Sequence, residues 1–405
     1  MAQAEVVQQF TELHLDPTSE VMSLQMGPSH PATHGTIKLN LKLDGEKILN
    51  CDVEIGYLHR GFEKMCEQRT WNHVVPYADR LNYISPLINN VGFALAAEKL
   101  LDIEVPERGQ YIRMIMSEIS RMTDHFTCLG MAAAEAGALS VAFYALEARE
   151  TLFDIVTAVT GARLTVSYTR VGGITQDLPD GFADRIQHAF SDIRNVMSDC
   201  DKLLSKNRIF IDRMSGVGAI SIEDAISYGL TGPLLRACGV EYDVRKATPY
   251  LFYDRMNFTV PTGTQGDNWD RYQVRLEEIR QSLSIVEQAL KQLPPGPIRV
   301  DDPRITLPQK KDVYGNIEGL MNHFKLVIEG VKIPKGEVYS VVEGANGELG
   351  FYLVGDGSGR PYRVRVRPPC FFGMAALGQM LKGHFISDII TTFGMINMIG
   401  GECDR

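Results

Sequence analysis

With 405 residues, 44% hydrophobic and 22% charged, the chain has the apolar material for a large core. A formal net charge of -9 with no basic run argues against a general nucleic-acid partner, whose phosphates call for a positive stripe. The opening MAQAEVVQQF has neither a basic segment followed by an apolar run nor an Arg-rich transit pattern, so a protein made and kept inside the cell is expected.

The first distinctive segment is GPSHPATHG, Gly27 to Gly35. His30 and His34 are four apart, a helical spacing, but Pro31 between them opposes a regular turn of helix, leaving a stiff loop that presents polar side chains. Ile37, Leu39, Leu41 and Leu43 then alternate with polar residues, and Asp44-Gly45 predicts a hairpin with His34 at its root.

From Glu63 the period becomes helical, over 63–71, 85–102, 106–137 and 140–160, punctuated by Pro76, Pro86 and Pro106. Further helices are expected near 179–205, 221–228, 267–293 and 312–330, with Ser221 of SIED and Asp267 as caps. The most apolar window, Leu129 to Leu146, contains Glu135 and many small residues and reads as a buried helix, not a membrane span. The Pro-rich stretch 294–311 reads as an exposed connection. Period-two patterning returns after 336, with Asn346-Gly347 as a second hairpin turn. GDGSG at 355–359 superficially resembles a phosphate loop, but a strand follows it where a helix is required, so it reads as a turn. The last residues, FGMINMIGGECDR, are apolar enough to be tucked in. These signals predict an α+β fold: a central helical bundle flanked by antiparallel β-sheet built from N-terminal and C-terminal segments. The expected division is 1–62, 63–330 and 331–405 within one compact domain.

Seven cysteines without a Cys-x-x-Cys pair read as reduced, mostly buried thiols, and no metal is expected on this chain. Glu135, among Ala132, Ala133, Ala134, Ala136 and Gly137, is either a desolvated carboxylate in need of a partner or a residue of a solvated helix face. His30 and His34 could supply that partner, ligate a metal or cap their loop; donors on a stiff loop are the favoured reading. Arg60, Arg80 and Tyr83 fall near helix starts, where arginines form surface ion pairs and a tyrosine usually packs with its hydroxyl satisfied.

In order along the chain, GPSHPATHG, IGYLHRGFEK, RLNYIS, GARLTVSYTRVGG, DLPDGF, NRIF, SYGLTGPLLRACG, YDVRKATPY, GDNWDRY, PPGPIRVDDP, DGSGRPYRVRVRPP, LKGHFISDII and GECDR closely resemble the family of D subunits of respiratory complex I, NADH:quinone oxidoreductase. The resemblance implies a peripheral member of an ion-translocating complex at the cytoplasmic face of the bacterial inner membrane. Its partners would be a C-like subunit, the membrane arm and a neighbouring subunit whose 4Fe-4S cluster lies beside the quinone headgroup, with NADH and FMN bound elsewhere in the complex. On the matching positions it implies that His34 and Tyr83 approach the quinone carbonyls, that Glu135 stands where the family usually has the aspartate paired with that histidine, and that Arg60 and Arg80 lie beside the neighbour's cluster. Two departures are Asn82, where the family has aspartate, and Thr165, where many relatives have histidine. A wider resemblance runs to the nickel-iron hydrogenase large subunit, whose paired Cys-x-x-Cys ligands this chain lacks. Two rivals remain: the same quinone site fed by ferredoxin or a reduced deazaflavin, and a scaffold between redox subunits.

Overall fold

The structure, a computed structural model, describes residues 21–405. MAQAEVVQQF lies outside them. Strands β1 (Val21–Met26), β2 (Lys38–Asp44) and β3 (Lys47–Glu54) form an antiparallel sheet in that order. The expected β2–β3 hairpin forms, but Asp44 pairs with Lys47, so its turn residues are Gly45-Glu46, one later than the expected Asp44-Gly45. β1 has no counterpart among the expected elements: as an edge strand it is largely exposed, so its sequence, VMSLQM, carries little of the alternation that one buried face imposes.

The helical centre holds the long helices Pro86–Leu101, Glu107–Glu135, Leu139–Thr160, Phe182–Cys200 and Asn268–Gln292. Asp267 caps the last by accepting from Asp270 N–H, and Ser221 caps Ile222–Ser227 by accepting from Asp224 N–H. The expected helix near 312–330 is divided at Asn316, whose side chain accepts from Gly319 N–H and starts Ile317–Ile328 anew. Pro76 sits inside the short helix Trp71–Ala78 and does not bound one.

The apolar window 129–146 is a correction. It is not one buried helix but the end of Glu107–Glu135 and the start of Leu139–Thr160, because the chain reverses through Gly137 at φ 93. Met131, Leu139, Phe143 and Tyr144 are exposed on this corner. No helix among the described residues is long and apolar enough to cross a membrane.

Beyond Leu139–Thr160 comes a minimal antiparallel pair, β4 (Thr169–Arg170) and β5 (Gly173–Ile174). Near the C-terminus β6 (Gly336–Gly344), β7 (Gly347–Gly355) and β8 (Arg363–Arg367) form a second three-stranded antiparallel sheet, separate from the first. The fold class is thus α+β. The β6–β7 turn is Ala345-Asn346, one residue earlier than expected, since Asn346 turns inward to bind buried polar groups.

One apolar cluster positions the site. Ile37, Leu39, Leu41 and Leu43 of the first hairpin bury against Met374, Leu377, Ile389 and Phe393 of the helices Pro369–Leu381 and Asp388–Ile396. Each such side chain contributes about 1.5–3 kcal/mol of burial free energy, enough to hold the two regions of chain together. The closing GECDR is tucked in: Glu402, Cys403 and Asp404 are buried, and Asp404 accepts from the Gly56 and Leu58 N–H groups at 3.0 and 2.7 Å.

Candidate functional site

His34 ends the single turn Pro31–Thr33 in a left-handed conformation, φ 53. The loop is held from within. His30 Nδ1 accepts from Ala32 N–H at 3.2 Å, and the Thr33 hydroxyl donates to the carbonyls of Pro28 and His30. His30 is therefore a cap of the loop, while His34 presents its ring outward, 36% exposed and edge-on to Phe393 with centroids 5.1 Å apart.

Nε2 of that ring is 3.5 Å from Oε1 of Glu135, at the end of the long central helix. This is ion-pair distance rather than a well-formed hydrogen bond. The Glu135 side chain is only 13% exposed, and its Oε2 has no hydrogen-bond partner among the described residues. Of the two readings of Glu135, the desolvated one describes its surroundings.

Tyr83 follows a segment pinned by Asn82. The Asn82 amide donates to Asp124 Oδ2 at 2.8 Å, and its oxygen accepts from Ile84 N–H at 3.2 Å. Tyr83 is half-buried against the same apolar cluster that includes Phe393. Burial pushes its hydroxyl pKa up, Cys370 and Asp124 add to the rise, and Arg60 opposes it. Arg60 Nη2 donates to the carbonyls of Arg80 and Gly401 at 2.7 and 3.2 Å. Burial beside the Arg80 charge lowers the pKa of Arg60. Arg80 in turn donates to Pro76 O at 2.5 Å. Arg60, Arg80 and Tyr83 thus share the edge where the 80–83 segment meets the terminal helix Gly400–Cys403. Thr165 lies half-buried in the loop after Leu139–Thr160.

Behind this edge is a buried polar network that sequence patterning does not reveal. Asp124 accepts from Asn82, Ser85 and Asn397; Asn346 accepts from Arg275 and Asn397; and the Cys370 thiol donates to Glu402 Oε2 at 2.9 Å. These residues come from distant elements, and the one local signal is an excess of charge on an otherwise apolar central helix. Two clefts of about 760 and 770 Å³ open elsewhere, lined around Arg280 and around Tyr250, and contain none of the predicted residues. All seven cysteines are buried and unpaired. No group of three or more metal-ligating side chains occurs among the described residues.

The His34 imidazole thus stands edge-on to Phe393 with a half-satisfied carboxylate beside it, and the Tyr83 phenol packs against the apolar cluster to which Phe393 belongs, with Arg60 near it. Such a surface suits a flat, uncharged ring with oxygen acceptors.

Residues 135–405 match the family described as respiratory-chain NADH dehydrogenase, 49 Kd subunit. The chain is 56% identical over 395 residues to the first of the NADH-quinone oxidoreductase D subunits of Sorangium cellulosum, covering 97% of this chain and 98% of that one. It is 54% identical to the NADH-quinone oxidoreductase D subunit of Myxococcus xanthus, covering 98% and 95%. The NADH-quinone oxidoreductase C/D subunit of Bdellovibrio bacteriovorus is 50% identical over 384 residues, 95% of this chain but 69% of that longer one.

Proposed function

The chain belongs to the family of NADH-quinone oxidoreductase D subunits, and on that footing we propose that it forms the quinone-headgroup site of an ion-translocating complex. The observation that carries this reading is the His34–Glu135 contact at 3.5 Å, set on the same apolar cluster as Tyr83. Reducing a quinone by two electrons puts negative charge on both ring oxygens. Donors already in place stabilise that charge and supply the two protons.

His34 Nε2–H serves one oxygen and Tyr83 Oη–H the other. Glu135 lies within ion-pair distance of the ring; once the ring has passed a proton to the quinone that contact weakens, and the carboxylate, whose Oε2 has no hydrogen-bond partner, is released to seek another. That change in a buried charge is the proposed signal to the ion-translocating membrane arm. Electrons are supplied by the 4Fe-4S cluster of a neighbouring subunit. The positive Arg60 and Arg80 face that neighbour and favour the cluster's reduced state. NADH and FMN belong to other members of the complex.

The C/D name of the Bdellovibrio relative, and its greater length, support a C-like subunit as direct partner. The proposed location is peripheral, on the cytoplasmic face of the bacterial inner membrane. Tyr83→Phe in the assembled complex tests the reading against a scaffold. A roughly hundredfold fall in quinone reduction, with NADH oxidation by a water-soluble acceptor retained, is expected; wild-type quinone reduction would favour the scaffold.

A further inference from the structure

Asp124 is a carboxyl with no place in the scheme above, although it lies fully buried on the central helix Glu107–Glu135. Three side chains from two other regions of the chain meet it, and all of them donate: Asn82 Nδ2 to Oδ2 at 2.8 Å, Ser85 Oγ to the same oxygen at 2.9 Å, and Asn397 Nδ2 to Oδ1. The orientation of the Asn82 amide is fixed independently. Its oxygen accepts from the Ile84 and Ser85 N–H groups at 3.2 and 3.3 Å, which turns the NH2 toward Asp124.

These contacts tie Tyr83 to the rest of the site. The chain on both sides of it is held, Asn82 by Asp124 and, through its carbonyl, by Asn89 Nδ2 at 2.9 Å, and Ser85 by Asp124. Asn397 closes the helix Asp388–Ile396 in a left-handed conformation, φ 58, and that helix carries Phe393, the ring against which His34 stands. The central helix follows the same piece of chain. Its Cys128 thiol donates to Gly394 O at 3.5 Å, and Glu135, about three turns beyond Asp124 on the same face, lies against Gly394. One buried side chain therefore joins the segment of Tyr83 to the helix that backs His34.

We infer that Asp124 is a positioning residue of the site: its hydrogen bonds to Asn82, Ser85 and Asn397 hold Tyr83 where its hydroxyl reaches one quinone oxygen while His34 reaches the other. The inference rests on the proposed role of Tyr83 and adds what sets its place. Asp124 touches no substrate and acts through Tyr83, and an error of about 1 Å in a reacting group costs on the order of a hundredfold in rate. The site calls for an acceptor at both oxygens of residue 124. An amide there offers only one, so either Asn82 or Asn397 would face another NH2, and carboxylates at both 82 and 124 would repel across 2.8 Å. Exchanging the two, Asn82→Asp with Asp124→Asn, restores the contact with donor and acceptor reversed and leaves the amide oxygen at 124 for Asn397. The aspartate that the family has at position 82 calls for such a donor at 124.

The test uses the assembled complex, with NADH oxidation by a water-soluble acceptor reporting the upstream electron path. Asp124→Asn and Asn82→Asp should each slow quinone reduction roughly tenfold with the acceptor rate retained, and the double exchange should return to within about threefold of wild type. Because Asp124 acts through Tyr83, adding Asp124→Asn to Tyr83→Phe should slow that variant by less than about twofold. A double exchange no faster than the single variants, or an Asp124→Asn effect as large in Tyr83→Phe as in wild type, overturns the inference. Wild-type rates in both single variants beside a slow Tyr83→Phe overturn the positioning role alone, whereas wild-type turnover in Tyr83→Phe overturns the role of Tyr83 itself. Should the single variants fail to assemble, Ser85→Ala, which removes one donor to Oδ2, carries the test. A roughly threefold slowing that disappears in Tyr83→Phe supports the positioning role, and equal slowing in both backgrounds, or none in either, overturns it.

Discussion

Gly394 makes room for Glu135: any Cβ at position 394 would collide with the carboxylate Oε2. The glycine lies one residue beyond Phe393, against which the His34 ring stands, so one short piece of helix supports both members of the pair. Gly394→Ala should push the carboxylate away from His34. The expected result is slower quinone reduction with assembly retained, and an overpacking cost of about 1–3 kcal/mol seen as a lower melting temperature. Activity and stability equal to wild type would show that the carboxylate has other room.

The His34–Glu135 pair makes a second prediction. Glu135→Gln keeps shape and removes charge, so the imidazole loses its anionic neighbour at 3.5 Å. Ion translocation linked to quinone reduction should fall by roughly tenfold, read as acidification per NADH oxidised in sealed vesicles. Unchanged quinone reduction together with unchanged acidification would refute the role.

Sequence patterning locates the hairpin carrying His34 and the long central helices because one-sided burial writes period two and period 3.6 directly into residue order. It does not locate β1, an exposed edge that needs no apolar face; the break at Gly137 is legible in the separate helical periods 106–137 and 140–160, though the apolar run across it reads as one buried helix. The family resemblance supplies His34, Tyr83 and Glu135 as candidates; patterning alone leaves Glu135 between two readings and Tyr83 as a packing residue. The network of Asp124, Asn346, Asn397, Cys370 and Glu402 stays hidden because its members lie far apart in the chain and meet only through tertiary packing.

The buried ions of the bundle govern stability. Burial alone would raise the pKa of Glu278, but Arg236, whose Nε donates to Oε1 at 2.8 Å, and His125, at 2.7 Å from Oε2, outweigh it and hold the carboxyl well below its usual range. A carboxyl depressed on folding contributes stability that is fully present above its ordinary value of 4.5 and is lost as pH falls toward the folded value. The melting temperature of the complex should therefore drop as pH is lowered below that value. Arg236→Met leaves Glu278 and Glu343 without their shared cation and should cost about 3–5 kcal/mol at neutral pH, measured by thermal unfolding. A neutral effect would mean that the ion pairs only offset their own desolvation.

Burial of Glu402 acts in the opposite sense. A carboxyl whose pKa is raised to about 8 on folding gives its full stabilisation below its ordinary 4.5 and loses it as pH rises toward 8. Glu402→Gln should therefore be increasingly stable relative to wild type between these limits, whatever its effect on turnover. A stability difference that does not change with pH would show that Glu402 is already ionised.

The central claim is that His34 and Tyr83 touch one quinone headgroup, and photoaffinity labelling tests it most directly. A short-tailed quinone bearing a photoreactive group on its ring is illuminated in the assembled complex, with and without excess unlabelled quinone, and the modified peptides are mapped. The account predicts competed labelling of the peptides containing His34 and Tyr83. Competed labelling confined to peptides or subunits that contain neither would contradict it.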